Sequence, residues 1–340
     1  MDASIIIVSY NSQADLRDCL DSILQACPDR TRYEVIVVDN GSEDASQMVI
    51  QQHYPMVRLL ENTNTGYAGG NNYGAALARG EYLVFLNPDT VVMPGAIDAL
   101  LGPLRTDPMI GLTTACLVHH DHPQQVNACG NQMHYTGLAY CRGANQPRTD
   151  YQTSTYVDAV SGAACAIRRS LFTTLGGFDP QFFMYVEDSD LSLRVRLHGL
   201  QCFYVAEAVI HHKYQLNYTA QKAFLIERNR YSMLIKNFSP SVLVRLLPGL
   251  LIAEIITGSY FLLRGPRYWG IKPRLYQHIW RYLRTVSAPP TTEAQERAVI
   301  QQLSSQLDFQ SIQQGWLTRW LAWLVNPLLH LAHRFAGGWS

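Results

Sequence analysis

The chain has 340 residues, 47% hydrophobic and 16% charged, a globular composition long enough for one large domain with an appendage and unlike that of a disordered chain. Its formal net charge of zero hides an asymmetry: residues 1–212 hold 12 Lys and Arg against 22 Asp and Glu, and residues 213–340 hold 15 against 5. A basic C-terminal part rich in Trp and Leu points to an anionic membrane surface and away from nucleic acid, the alternative being a basic domain packed on an acidic one.

Residues 4–8 form a β-branched apolar run, expected as a strand and not as a signal peptide, since neither a basic flank nor a cleavage site accompanies them. Residues 14–25 place Leu16, Leu20, Ile23 and Leu24 at helical spacing. Residues 34–38 are a second buried strand ending in Asp39-Asn40-Gly41-Ser42. A helix over 44–53, a short strand over 57–60 and a Gly- and Asn-rich loop over 62–72 follow, and then a helix over 73–78. Residues 82–86 are a fourth buried strand, stopped by Asn87-Pro88-Asp89 because Pro88 has no N–H for a ladder. Alternating strands and helices imply a mainly parallel, doubly wound α/β sheet. Asp39 and Asp89 are expected on neighbouring strand ends facing one crevice.

A helix is expected over 94–104. Residues 110–160 read as strands and a variable loop over the site. A strand over 161–167 and a short helix over 171–175 precede a helix over 187–198, with Asp190 and Arg194 paired four apart and Gly199 closing it. Residues 201–211 read as a strand. Beyond Lys213 the pattern is helical. Residues 242–263 are long enough for a bilayer, but Arg245, Pro248 and Glu254 favour an interfacial or packed helix over a span. Residues 287–292 are a linker, and 315–335 resemble an in-plane amphipathic anchor. The division expected is 1–215, 216–286 and 287–340. Seven cysteines without a C-x-x-C pair suggest free thiols in a reducing compartment.

The acidic strand ends suit chemistry on a nucleotide diphosphate. A hard cation such as Mg²⁺ or Mn²⁺ takes oxygen ligands and neutralises a departing diphosphate, a role for Asp89. Asp39 can accept from a pyrimidine imide, with Ser9 and Tyr10 beside it. The backbone of 64–72 can approach a ligand closely. Asp188, next to Glu187 at a helix start, is a candidate general base. His211 or His212 would complete the cation site. The His119-His120-Asp121-His122 run fits no ligand spacing and reads as loop. Gly66 and Gly69 do not follow the first strand, and G-x-G-x-x-G is absent, which removes a dinucleotide-fold reading.

Seven stretches, in order, carry a family resemblance. They are Ile6-Ile7-Val8-Ser9-Tyr10-Asn11-Ser12, Val37-Val38-Asp39-Asn40-Gly41-Ser42, residues 64–72, Phe85-Leu86-Asn87-Pro88-Asp89-Thr90, Gly176-Gly177-Phe178-Asp179, Phe182-Phe183, and residues 187–194. Over about residues 3–215 the chain resembles the inverting family 2 glycosyltransferases of GT-A fold, in particular the rhamnosyltransferase-like branch. The resemblance implies a doubly wound mixed sheet followed by a helical C-terminal region. It implies Asp188 as catalytic base; Ser9, Tyr10, Asn11, Asp39, Asn64, Gly66, Gly70, Asn71 and Asn87 at the nucleotide; and Asp89 with His211, the favoured histidine, on a divalent metal. Glu187 and Asp190 would lend support. Asn87 departs from the family's acidic pair and leaves one carboxylate there. The donor implied is a dTDP- or UDP-sugar, dTDP-L-rhamnose first, and the acceptor a saccharide or polyprenyl-linked saccharide of a surface polysaccharide. The protein would then sit peripherally on the cytoplasmic face of the inner membrane. A non-catalytic binding or scaffold protein would lack Asp89 or Asp188. A nucleotidyltransferase would carry a basic Gly-rich loop where Ser9-Tyr10-Asn11-Ser12 stands.

Overall fold

The computed structural model describes residues 1–29, 31–214, 218–287, 291–308 and 316–337. The expected boundary at 215, part of the linker and Gly315 lie outside the described residues, as does the Trp316 side chain.

The chain divides into two compact units, one of Met1–Asn131 with Cys141–Leu216 and one of Gln132–Tyr140 with Asn217–Ser340. The first opens with β1 (Ala3–Ser9), α1 (Gln13–Ala26), β2 (Tyr33–Asp39), α2 (Ser46–His53), β3 (Arg58–Glu61), α3 (Gly66–Leu77) and β4 (Tyr82–Leu86). It continues with β5 (Thr90–Val92), α4 (Ala96–Thr106), β6 (Ile110–His119) and β7 (Val126–Ala128). β8 (Asn131–Met133) and β9 (Ala139–Cys141) form a separate two-stranded sheet that falls mostly in the second unit. Then come β10 (Thr155–Val157), β11 (Ala164–Arg168), α5 (Arg169–Thr174), α6 (Glu187–Leu197) and β12 (Gln201–His212).

The main sheet runs β10-β12-β6-β11-β4-β1-β2-β3. β1 is parallel to β2 and β4, and β2 to β3, because α1 and α2 carry the chain back over the sheet. β11 is antiparallel to both β4 and β6, which makes the sheet mixed. Strand order reverses at β1 and β4, where open α/β sheets bind ligands at the carboxyl ends of the strands. Asp39 and Asp89 are therefore not on adjacent strands: β1 lies between theirs. Ile5, Ile7, Val37 and Val84 pack one face of the sheet with Leu16, Leu20 and Leu100. Ile6, Val38, Phe85 and Leu112 pack the other with Phe172, Phe178 and Leu191. Burying each such side chain contributes about 1.5–3 kcal/mol.

Residues 66–72 are helical, contrary to the loop expected there. A Cβ on Gly70 would meet Val8 at 2.8 Å, and one on Gly74 would meet Ile6 at 2.6 Å. The small residues let α3 lie directly on β1 and β2. Residues 110–119, in the stretch expected to hold strands and a variable loop, form the ten-residue buried strand β6.

The second unit contains α7 (Ala220–Asn237), α8 (Pro240–Leu263), α9 (Pro266–Trp269), α10 (Ile271–Tyr282), α11 (Glu293–Gln302) and α12 (Trp316–Gly337). Inside it Arg230 pairs with Glu227 at 2.9 Å, and Lys272 bridges Glu227 (2.8 Å) and Glu254 (2.9 Å). This buried quartet is neutral. α8 is long and apolar enough to cross a membrane, yet only 22% of its most apolar window is buried within the protein. Pro248 and Ile252 of α8 line an open apolar groove with Leu328, Leu331 and Phe335 of α12.

Candidate active site

The carboxyl ends of β1, β2 and β4 and the start of β11 share one rim. Ser9 and Asp39 are register partners. Asp39 is fully buried. Its Oδ2 accepts from the Ser42 N–H at 3.0 Å and from Gln47 Nε2 at 2.6 Å. Its Oδ1 has no partner, and neither has Ser9 Oγ. An unmatched buried acceptor costs about 1–3 kcal/mol, so this corner is prepared for a donor from a ligand. Tyr10 is exposed beside it.

Several other expected nucleotide residues hold the frame. Asn11, with φ of 52°, donates its N–H to Ser42 Oγ (2.9 Å) and accepts from the Glu43 N–H (2.8 Å), clasping two turns together. Asn64 Oδ1 accepts from the Gly66 N–H at 3.1 Å at the start of α3. Gly66 has φ of 73°, and a Cβ there would run into the Phe183 carbonyl. Gly70 serves the packing of α3. Asn71 is buried and donates to the Tyr67 carbonyl, while its own Oδ1 is unpartnered.

Asn87 N–H donates to the Ala163 carbonyl (3.0 Å), and its carbonyl accepts from Thr90 Oγ1 (2.7 Å), so its backbone ties β4 to β11 and to β5. β5 pairs with β12, Thr90 opposite His212. That register brings His212, not the expected His211, to Asp89. His212 Nε2 lies 3.3 Å from Asp89 Oδ1. The approach is not a hydrogen bond, and both atoms are buried without a partner. His212 Nδ1 lies 2.9 Å from Asn127 Oδ1, an acceptor, which places the ring proton on Nδ1 and leaves Nε2 a bare lone pair. Two lone pairs converge with no proton between them. His211 points away, its ring 6.0 Å from that of His120. Among the described residues no three ligating side chains cluster; Asp89 and His212 stand as a pair, and a cation there would need further oxygens from a ligand and water.

Glu187 and Asp188 open α6. The chain enters through Phe183, Tyr185 and Val186, all at positive φ, a strained bend costing about 1–3 kcal/mol per residue. Asp188 Oδ2 accepts from the Gly162 N–H (2.9 Å) and Asn131 Nδ2 (3.3 Å); Oδ1 accepts from the Ser189 N–H at 2.6 Å. Burial outweighs these bonds and raises the carboxyl above its ordinary value. Tyr67 donates to the Gly162 carbonyl at 2.6 Å. Because Ala163 is bonded to Asn87, Asp188 is tied through this segment to the end of β4. Glu187 is buried with Oε2 unpartnered, and burial, then the Asp188 charge, raise it well above its ordinary value. Asp190 is ion-paired with Arg194 at 2.9 Å, and Arg194 also donates to the Leu175 and Gly177 carbonyls. Asp190 is thereby a clamp on the Gly176-Gly177 turn. Gln47, Asn127, Asn131 and Gly162 were missed. The last three lie in or just after the stretch that showed no period, and a lone Asn or Gly there carries no signal.

A model of the family described as glycosyl transferase family 2 matches residues 4–176. The chain belongs to this family. It is a glycosyltransferase. It is 32% identical over 235 residues to an N-acetylglucosaminyl-diphospho-decaprenol L-rhamnosyltransferase of Mycobacterium tuberculosis, covering 62% of this chain and 75% of that one. It is 28% identical to the rhamnosyltransferase WbbL of Escherichia coli K12, covering 63% and 84%. Among solved structures, GalNAc-T7 with UDP, GalNAc and Mn²⁺ superposes with a TM-score of 0.61 at 16% identity, covering 84% of this chain and 56% of that one. TarS 1–349 of S. aureus superposes at 0.55 and 16% identity, covering 99% and 88%. The fold shared with these structures is GT-A, as the seven stretches implied.

Proposed function

We propose that this family 2 glycosyltransferase is inverting and metal-dependent, and that it moves L-rhamnose from a dTDP- or UDP-linked donor to a polyprenyl-linked saccharide acceptor in surface polysaccharide synthesis. The observation that carries the reading is the pair of orphaned lone pairs on Asp89 Oδ1 and His212 Nε2, with the histidine proton held away by Asn127. The named activities of the two relatives support the sugar, and the lipid diphosphate in the first one's name supports the acceptor.

Asp89 and His212 would hold a divalent cation of the Mg²⁺ or Mn²⁺ type, which neutralises the leaving diphosphate. Asp39 Oδ1 accepts the imide N–H of a pyrimidine, and Tyr10 offers a ring at the exposed edge. Asp188 takes the proton from the acceptor hydroxyl. That oxygen attacks the anomeric carbon as the bond from carbon to diphosphate oxygen breaks, inverting the centre. The raised Asp188 carboxyl suits a base, because a stronger base takes the proton more readily. Glu187 lies buried next to it, with its carboxyl raised well above its ordinary value by that burial. The rows of exposed apolar side chains on α8 and α12 support a peripheral membrane contact.

The test is Asp188→Asn assayed with dTDP-L-rhamnose and a polyprenyl-diphosphate saccharide. Nucleotide binding persists and turnover falls by at least about a hundredfold. Turnover retained within a few fold removes Asp188 as the base.

A further inference from the structure

In the second unit the chain from Ile255 through Thr292 contains no acidic residue. Within that stretch Arg264, Arg267, Arg274, Arg281 and Arg284 are all exposed, and among the described residues none is ion-paired. The one lysine of the stretch, Lys272, is different: it turns inward to Glu227 and Glu254. An ordinary solvated face interleaves both signs, and this one does not.

The apolar side chains on the same surface are equally unusual. α8 ends in Leu263, 88% exposed, and α9 carries the exposed Trp269. On α10, Ile271, Leu275 and Tyr282 face inward. At 100° per residue this puts Trp280 (56% exposed) at the centre of the outward face, with Tyr276 on one flank and Arg274 and Arg281 on the other; the exposed Leu283 and Arg284 follow in the turn that ends the helix. The Arg284 guanidinium lies 3.5 Å from the Trp280 ring, and that of Arg274 lies 3.9 Å from the Phe224 ring. Arginines stacked on rings leave their N–H edges free for phosphate oxygens, while Trp and Leu beside them suit the boundary between headgroups and acyl chains.

We propose that the outward face of α10, with α9 and the end of α8, is a docking surface for the anionic phosphodiester headgroups of a bilayer. The inference rests on the membrane-facing reading given above and adds to it which surface makes the contact and what charge it reads. Charge and apolar character together select the occupant: a second copy meeting this face through its own would oppose like charges, an acidic protein face would leave Leu263, Trp269 and Trp280 unmatched, and a neutral apolar partner would leave five arginines unmatched.

The full-length protein is mixed with extruded vesicles of phosphatidylcholine alone, and of phosphatidylcholine with phosphatidylglycerol, and sedimented. Binding to the anionic vesicles is expected, weakened by added salt. The triple variant Arg274→Gln/Arg281→Gln/Arg284→Gln loses on the order of a hundredfold in that partitioning, at roughly fivefold per cation, with an unchanged melting temperature and nucleotide affinity. If wild type and triple variant bind alike, or if wild type binds both vesicles equally, the headgroup surface is refuted while membrane contact survives. If neither vesicle binds, both readings fail. Binding to a random DNA duplex in place of vesicles also overturns the proposal.

Discussion

Asn127→Ala leaves Asp89 and His212 in place and removes only the acceptor 2.9 Å from His212 Nδ1. The ring then loses the group that fixes its tautomer. In the other tautomer Nε2 carries the proton, which points at Asp89 Oδ1, 3.3 Å away, and turns a cation site into an ordinary His–Asp hydrogen bond. Loss of such an outer partner typically weakens a metal about 10–100-fold, or about 1.4–2.7 kcal/mol. Initial rates measured against Mn²⁺ concentration, with saturating donor and acceptor, would show the half-saturating concentration raised by that factor and a maximal rate largely recovered. The pairing His212→Ala against His211→Ala sets the scale: the first abolishes metal-dependent rate, the second leaves it near wild type. An unchanged Mn²⁺ curve for Asn127→Ala, or a larger effect from His211→Ala, refutes the reasoning.

Glu187→Gln tests the buried acid. Its folded carboxyl is raised, so the protonated form is favoured by folding, and stability is lost as pH rises from the ordinary 4.5 toward the folded value. The variant should melt like wild type in acid and progressively above it toward neutral pH. Two glycines should move in opposite directions. Gly74→Ala forces a Cβ to within 2.6 Å of Ile6 and destabilises by about 1–3 kcal/mol. Gly258→Ala in α8 meets nothing and stabilises by about 0.5–1 kcal/mol, both read in denaturant titrations. Glu227→Gln takes the close carboxylate from buried Arg230 and leaves Lys272 with Glu254 alone, and should cost about 3–5 kcal/mol; a melting temperature within a degree or so of wild type would argue that the quartet contributes nothing.

The strands that build the rim were readable because β1, β2 and β4 are uninterrupted apolar runs buried on both faces. The carboxylates followed from the polar turns that end them. α3 was misread because Gly and Asn mark loops locally, and only the sheet beneath it shows that small residues are there for close approach. The bounds of β6 were not readable because its Gly111 and two threonines break the apolar run, although all three are buried. The choice between His211 and His212 stayed open in the sequence for a specific reason. Successive strand residues face opposite sides, and β12 slips register against β6 between Val205 and Val209. A count from the start of the strand cannot survive that slip.

The position of β1 between β2 and β4 has a consequence for donor choice. Asp39 and the Asn87–Asp89 turn stand two strand spacings apart, about 10 Å. Under the proposed roles, that interval is the distance from the base to the diphosphate, and backbone hydrogen bonding sets it. The sheet works as a fixed gauge for nucleoside length. Side-chain changes at the rim can retune which base or sugar is preferred, but they cannot lengthen the gauge.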